Sequence, residues 1–183
     1  MSVDEYIALD RAAEERWSYV NGEAWAMAGA SIEHNLVARN LLFTLMKALE
    51  GRTCRPLGEG QKIATPQTRA FHYADASVVC GPMVRDEMDD HAITNPVVIV
   101  EVLSPTTADY DRGGKFAHYR TIPSFREYVI VDADGRRVEH HQRLETGQWL
   151  MTELASGTLE LTSIEVAIPL AELWVDLDPA ADA

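Results

Sequence analysis

Residues 97–115 read VVIVEVLSPTTADYDRGGK, and this stretch decides which fold the chain adopts. An almost continuous run of Val, Ile and Leu is typical of a central strand that is buried on both faces. Glu101 interrupts this run. An unpaired carboxylate inside such a strand costs several kcal/mol or takes up a proton. The sequence therefore predicts that Glu101 has a partner or a bound ion.

A second acid interrupts an apolar strand: Asp75, in the run YADASVV. Two neighbouring carboxylates that lose their hydration both acquire a raised pKa unless a cation compensates them. Mg²⁺ takes oxygen ligands and keeps several waters, so it suits this role. We therefore predict a Mg²⁺ site, with Mn²⁺ as a substitute, held by Asp75, Glu101 and the backbone carbonyl of Val102. A structural ion pair for Glu101 and a turn cap for Asp75 are the alternatives.

Lys115 follows Glu101 by fourteen positions and begins a segment in which Phe116, Tyr119 and Ile122 form an apolar helical stripe. If this helix packs back over the strand ends, the ammonium group reaches the predicted metal site. There it would orient or activate the attacking water, or offset charge on a phosphoryl group. Two acids and a lysine around a metal are an arrangement for hydrolysing a phosphodiester.

The runs YADASVVCGP and NPVVIVEVLSPTTADYDRGGKFAHYRTIPSFREYVIVD resemble the putative restriction-endonuclease family of bacterial proteins, within the PD-(D/E)xK nuclease superfamily. The similarity extends from YVNGEAWAMAGASIEHN through the last strands and covers most of the chain. By this resemblance Asp75 matches the aspartate of the PD motif, and Glu101 matches the acid of the (D/E)xK motif. Lys115 would replace the motif lysine. Glu23 resembles the N-terminal glutamate that many members place near the metal.

The resemblance implies an α/β (α+β) fold with a restriction-endonuclease-like core, in which helices flank a mixed central β-sheet. It implies one nuclease domain over residues 1–183, a Mg²⁺-dependent endonuclease activity and a DNA substrate. A homodimer is expected because two-fold-related sites cut both strands of a duplex. The sequence departs from the pattern at Ala74, where the motif has proline, and at Leu103, where the motif has lysine. A catalytically inactive binding or assembly module, or a hydrolase of another phosphate ester, are therefore alternatives.

Composition bounds these hypotheses. The chain has 183 residues and a formal net charge of −13, which argues against a generally basic nucleic-acid surface. The charge is uneven, because eight acidic residues and no Lys or Arg lie between 144 and 183. The N-terminus lacks the features of a signal peptide and no apolar run is long enough to span a bilayer, so we expect a cytoplasmic protein without a membrane segment. Without an export signal, reduced thiols are expected at Cys54 and Cys80, although a disulfide is not excluded.

Local signals predict the remaining elements. Ser2 and Glu5 fit a capping box for a helix to about Glu15, and Asn21-Gly22 indicates a hairpin. Ser31 caps a helix to about Glu50, with apolar residues broadly at helical spacing at Ile32, Leu36, Phe43, Met46 and Leu49. Strands are predicted at TCRPL, QKIAT and AFHYADASVVC, on both sides of Asp134-Gly135 and at GQWLMTEL, with a mobile loop at 83–95 and a helical turn at LAELW.

Several other polar residues are possible members of the site. His34 either faces the site or packs locally at its helix start, and the local role is the expected one. His140 and His141 point to opposite faces of a strand and are interpreted as structural. Tyr119 is expected in the core. Gln61 is a weak candidate for the cleft.

Overall fold

The computed structural model describes residues 1–27 and 29–177, and its mixed α+β architecture confirms the predicted fold class. Within these residues the α-helices are α1 (Val3–Ala12), α2 (Ile32–Ala48), α3 (Ala108–Tyr110), α4 (Phe116–Tyr119) and α5 (Leu170–Leu173). A π-helical turn, Asp111–Lys115, joins α3 to α4. The strands are β1 (Trp17–Val20), β2 (Glu23–Ala26), β3 (Cys54–Gly58), β4 (Lys62–Thr65), β5 (Ala70–Tyr73), β6 (Ala76–Cys80), β7 (Ala92–Ile93), β8 (Val98–Val102), β9 (Glu127–Asp132), β10 (Arg137–Arg143), β11 (Trp149–Leu154), β12 (Thr158–Leu161) and β13 (Val166–Pro169).

The larger sheet has six strands in the order β11-β10-β9-β8-β6-β3. As predicted, β8 is a central strand: it pairs in parallel with β9 and antiparallel with β6. Successive side chains of a strand point to opposite faces. Val98, Val100 and Val102 therefore share one face, and Ile99 and Glu101 share the other.

Helix α2 packs on the valine face of this sheet together with β12, β13 and α5. Ser31 caps α2 as predicted, by accepting a hydrogen bond from the backbone N–H of His34. The predicted apolar stripe of α2 is wrong at three positions, because Ile32, Phe43 and Met46 are exposed. The residues of this helix that are buried are Val37, Asn40, Leu41, Thr44 and Leu45. The opposite face of the sheet is covered by the aromatic side chains around α4.

A second sheet has the order β2-β1-β5-β4-β7 and packs against α1. The hairpin between β1 and β2 turns at Asn21 and Gly22 as predicted, and both residues have positive φ angles of 48° and 98°. Glycine and asparagine adopt this left-handed backbone at little cost. The predicted capping box of α1 is also present, with reciprocal bonds between Ser2 and Glu5.

The sequence predicts one strand over the run AFHYADASVVC, but the run forms two strands that belong to different sheets. Strand β5 pairs with β1 and β4 in the second sheet, whereas β6 pairs with β3 and β8 in the larger one. Asp75 lies at the junction between them. The chain therefore changes sheets at the residue that was predicted to bind metal.

The expectation of reduced thiols is wrong: Cys54 and Cys80 form a disulfide. The two residues face each other directly on the antiparallel strands β3 and β6. This pairing joins residues 26 positions apart in the sequence. The strand register that brings them together is a long-range feature, so the spacing of the cysteines gave no sign of it.

The segment 83–95 is anchored by its own buried acid and is not the mobile loop that its composition suggests. Asp89 is completely buried and binds Lys62 and Arg11, at 2.6 and 2.9 Å. The same ammonium group of Lys62 lies 2.6 Å from Asp10. Short strand β7 then pairs with β4. No helix of the described residues is long and apolar enough to cross a membrane.

Candidate active site

A cleft of about 700 Å³ is lined by residues from both sheets, from α2 and from the helical segment after β8. Asp75, Glu101 and Lys115 all line it, together with Val102. The sequence pattern placed these residues on separate elements. The tertiary structure brings them to one cavity, although their chemical roles stay predictions.

Asp75 is held in place by the end of β8. Its Oδ2 atom accepts a hydrogen bond of 2.6 Å from the backbone N–H of Val102. The side chain keeps 15% of its surface exposed, in contrast to 4% for Glu101. One carboxylate of the cleft is therefore fixed by the backbone and still open to solvent or to a ligand.

Glu101 is buried on the face of β8 that packs under α4, and both of its oxygens have partners. Oε2 accepts a hydrogen bond of 2.9 Å from Lys115 Nζ, and Oε1 accepts one of 3.0 Å from the hydroxyl of Tyr119. Tyr119 is in the core, as expected, and it also touches the site. The apolar strand thus tolerates its glutamate because each oxygen is hydrogen-bonded.

Lys115 reaches back over the strand end, which is the arrangement the sequence hypothesis required. Its Nζ atom lies 2.9 Å from Glu101 and 2.9 Å from Asp111, and 3.5 Å from the carbonyl oxygen of Tyr73. The residue is almost completely buried. A buried ammonium is stable only when it is paired in this way.

Sequence reasoning missed Asp111, which is buried and binds Lys115 from four positions away. Its second oxygen accepts a hydrogen bond of 2.7 Å from the hydroxyl of Thr107. Residues four apart on a helix face each other, so the spacing of Asp111 and Lys115 in DRGGK was the available signal. The two residues begin and end the π-helical turn, a feature that occurs frequently at functional sites.

The electrostatics of this cluster differ between its acid and its base. Burial raises the pKa of Glu101 to about 8, against the opposing effect of the Lys115 charge. Burial acts to lower the pKa of Lys115, but the carboxylates of Glu101 and Asp111 outweigh it and raise that pKa above its ordinary value. Lys115 therefore carries its charge throughout the physiological range, whereas Glu101 is easier to protonate than an exposed glutamate.

His34 faces the site, so the purely local role expected from the sequence is wrong. Its Nε2 atom lies 3.4 Å from Oδ2 of Asp75, and the other ring nitrogen is buried without a hydrogen-bond partner in the described structure. Burial lowers the pKa of His34, but the hydrogen bond and charge of Asp75 and the Val102 carbonyl reverse this, and the net direction is upward. The helix cap at Ser31 fixes the start of α2, the helix that carries His34.

Glu23 is not placed with these residues. It is exposed at the turn end of β2, and the described lining of the cleft comes from the other end of that strand, at Trp25 and Ala26. Three residues of extended chain separate the two ends by roughly 10 Å. The prediction that Glu23 contributes near the metal is therefore not supported by its position.

The donor atoms fit a hard divalent cation. Among the described residues, no group of three or more His, Cys, Asp or Glu side chains is placed to hold a metal ion. Mg²⁺ in proteins is commonly bound by one or two carboxylates, with waters and substrate phosphates completing its coordination. Asp75, Glu101 and Val102 line one cleft, where two carboxylates and a backbone carbonyl would supply such a set of oxygens. The residues therefore suit Mg²⁺ or Mn²⁺ better than a structural Zn²⁺, whose four coordination positions are filled by protein side chains.

Comparison with known proteins identifies the family to which the chain is similar. The model of the Uma2 family, described as putative restriction endonuclease, matches residues 3–177. An uncharacterised protein of Synechocystis sp. (strain PCC 6803) is 34% identical over 175 residues, which cover 95% of this chain and 91% of the relative. Another from the same organism is 32% identical over 161 residues, covering 88% and 91%.

A solved structure shares the fold. It is the crystal structure of a putative nuclease belonging to DUF820 from Anabaena variabilis, with a TM-score of 0.78 and 14% sequence identity. The match covers 95% of this chain and 97% of the other. The resemblance noted from the sequence, and the predicted nuclease-like core, are thereby confirmed.

Proposed function

We propose that this chain, which belongs to the Uma2 family of putative restriction endonucleases, is a Mg²⁺-dependent endonuclease that hydrolyses phosphodiester bonds in DNA. One observation carries the proposal: Lys115 lies 2.9 Å from Glu101 although fourteen residues separate them, and Asp75 lines the same cleft. This contact supports the proposal that Lys115 takes the role of the motif lysine.

Asp75, Glu101 and the Val102 carbonyl would hold the ion, which when bound supplies charge for the phosphate and a more acidic water. The pKa of Lys115 is raised, so its amine is already protonated and cannot accept a proton from that water. Its protonated amine instead donates hydrogen bonds, which position the water or offset the negative charge that develops on the phosphate. This narrows the sequence hypothesis, in which Lys115 either oriented or activated the water.

His34 and Tyr119 are positioning residues in this proposal. The imidazole contacts the Asp75 oxygen that also accepts the Val102 N–H, so it limits the rotation of the carboxylate. The Tyr119 hydroxyl fixes one oxygen of Glu101 and leaves the other to Lys115. Both carboxylates are therefore preorganised before a metal binds.

The proposal is tested by incubating supercoiled plasmid with the purified protein and Mg²⁺ or Mn²⁺. We expect the wild type to nick the plasmid and Glu101→Ala to lose this activity. Glu160→Ala is the matched control, because Glu160 is exposed on β12 and outside the cleft lining described above. Equal cleavage by the wild type and Glu101→Ala, or no cleavage of either plasmid or a single-stranded oligonucleotide with any divalent metal, would refute the enzyme claim.

A non-catalytic binding or assembly module is the second candidate. Leu103 favours it, since this residue holds the usual lysine position and packs against the aromatic core. Calorimetric titration with Mn²⁺ separates the two candidates. A nuclease should bind Mn²⁺ with an affinity that Asp75→Asn abolishes, whereas a module without a site should give no such difference.

We also propose that the chain forms a homodimer and that it is located in the cytoplasm. A two-fold dimer would present two active sites to the two strands of a duplex. Light scattering coupled to gel filtration should then give twice the 20.4 kDa mass of the chain. A monomer at all concentrations would remove the dimer, although it would leave the catalytic proposal intact.

A further inference from the structure

One wall of the cleft carries two aromatic side chains that the proposed chemistry does not use. Trp25, on β2, and Tyr110, immediately before the π-helical turn, both line the cavity. Their ring centroids are 5.8 Å apart with an angle of 82° between the planes. Trp25 leaves 37% of its surface exposed. An exposed indole thus lines the same cavity as Lys115.

The position of Tyr110 depends on a glycine. A Cβ atom at Gly114 would lie 2.2 Å from a ring carbon of Tyr110, a separation that real side chains do not show. The ring therefore packs directly on the backbone of the π-helical turn that holds Asp111 and Lys115. Tyr110 is consequently fixed relative to the proposed catalytic groups.

The charges around the cleft disfavour a duplex bound mainly through its phosphates. Among the described residues that line it, acids outnumber bases: Glu14, Glu15, Glu59, Asp75, Glu101 and Asp111 stand against Arg16 and Lys115. Nonspecific affinity for duplex DNA comes almost entirely from phosphate neutralisation by basic side chains. Stacking of bases on aromatic rings adds affinity that does not come from phosphate neutralisation, and it tolerates any sequence.

We propose that Trp25, held by its edge contact with Tyr110, stacks an unpaired nucleobase next to the scissile phosphate, so that the preferred substrate is single-stranded DNA or an unpaired region of a duplex. This inference rests on the proposed nuclease function and names its substrate class. A base inside a duplex cannot expose its face to the indole without leaving the stack. An unpaired substrate also needs only one active site, so it places no requirement on a dimer.

Binding is measured by fluorescence anisotropy with Ca²⁺ as the metal, so that no turnover occurs. The two labelled probes are an oligonucleotide of about 15 nucleotides, near the upper site size of a single-strand binding fold, and its duplex. We expect the wild type to bind the single strand more tightly than the duplex. Trp25→Ala should weaken single-strand binding by roughly 5- to 150-fold, the range for loss of one base stack, and leave duplex binding unchanged. Trp25→Phe should restore most of the affinity, because it keeps an aromatic face.

Phe43→Ala is the matched control, since Phe43 is an aromatic residue of α2 with 67% of its surface exposed, and it does not belong to the cleft lining described above. Equal affinity for strand and duplex, or the same affinity in Trp25→Ala as in Phe43→Ala, would overturn the inference. Plasmid nicking in combination with either result would leave the nuclease proposal standing. Preferential single-strand binding that requires Trp25, without any cleavage, would support the stacking site and refute the nuclease proposal.

Discussion

Replacing Glu101 with Gln should change how the stability of the metal-free protein depends on pH. Burial raises the pKa of Glu101 from an ordinary value of 4.5 to about 8 in the folded state. Between these two pH values the folded protein holds a proton that the unfolded chain has lost. The free energy of unfolding contributed by this group is therefore fully present below pH 4.5 and falls as the pH rises towards 8.

The magnitude follows from the same two values. Each pH unit in this interval costs about 1.4 kcal/mol, and the whole interval costs about 5 kcal/mol. The amide of the Glu101→Gln variant cannot titrate, so the substitution removes this slope while keeping the shape of the side chain. The difference in unfolding free energy, variant minus wild type, should grow by about 3 kcal/mol between about pH 5.5 and 7.5.

Urea denaturation at intervals of about one pH unit from about pH 5.5 to 8.5, in chelator, measures this difference. Glu160→Gln is the control for removal of an exposed carboxylate, and it should show no such trend. Adding Mg²⁺ at about pH 8.5 should stabilise the wild type and not Glu101→Gln, because the ion favours the ionised carboxylate. A difference that stays constant across this pH range would refute the reasoning that Glu101 is neutral in the folded, metal-free protein.

Three other substitutions test individual contacts. Lys115→Met should lower plasmid nicking by about 10²- to 10³-fold. It leaves the buried carboxylate of Asp111 without its ammonium partner, so it should also lower the urea unfolding free energy near neutral pH by about 3–5 kcal/mol. Full nicking would remove Lys115 from the mechanism. Gly114→Ala should be destabilised by about 1–3 kcal/mol because its methyl group meets the ring of Tyr110, whereas Gly113→Ala has open space and should be neutral or slightly stabilised. Cys54→Ser should lower the unfolding free energy by up to about 3.5 kcal/mol, given the 26-residue separation of the bridged cysteines. A thiol assay that detects free thiols in the unfolded, unreduced wild type would contradict the bridge.

The predicted site shows where sequence reasoning works for this protein. Glu101 and Asp75 could be found because a carboxylate in an apolar strand is a local conflict that the sequence displays directly. The hairpin at Asn21-Gly22 and the helix cap at Ser31 were equally local, since each depends on a few neighbouring residues. The reach of Lys115 was a weaker expectation, and only the packing of the helix over β8 gave it a distance.

Other features had no local signal. The disulfide depends on the register of two strands, and the contact of His34 with Asp75 depends on where α2 crosses the sheet. The exposure of Ile32 and Phe43 on α2 also had no local signal, because apolar residues at helical spacing are typical of a buried helix face.

By itself, then, the sequence determined which residues are chemically out of place, the turns and caps, and the family resemblance that joins them to a nuclease fold. Tertiary structure alone decided which of these residues meet, and that Glu23 lies outside the cleft. The physical reason is range. Burial conflicts, turns and caps are set by neighbours in the chain, whereas contacts between a strand end, a helix start and a π-helical turn depend on packing between elements that are far apart in sequence.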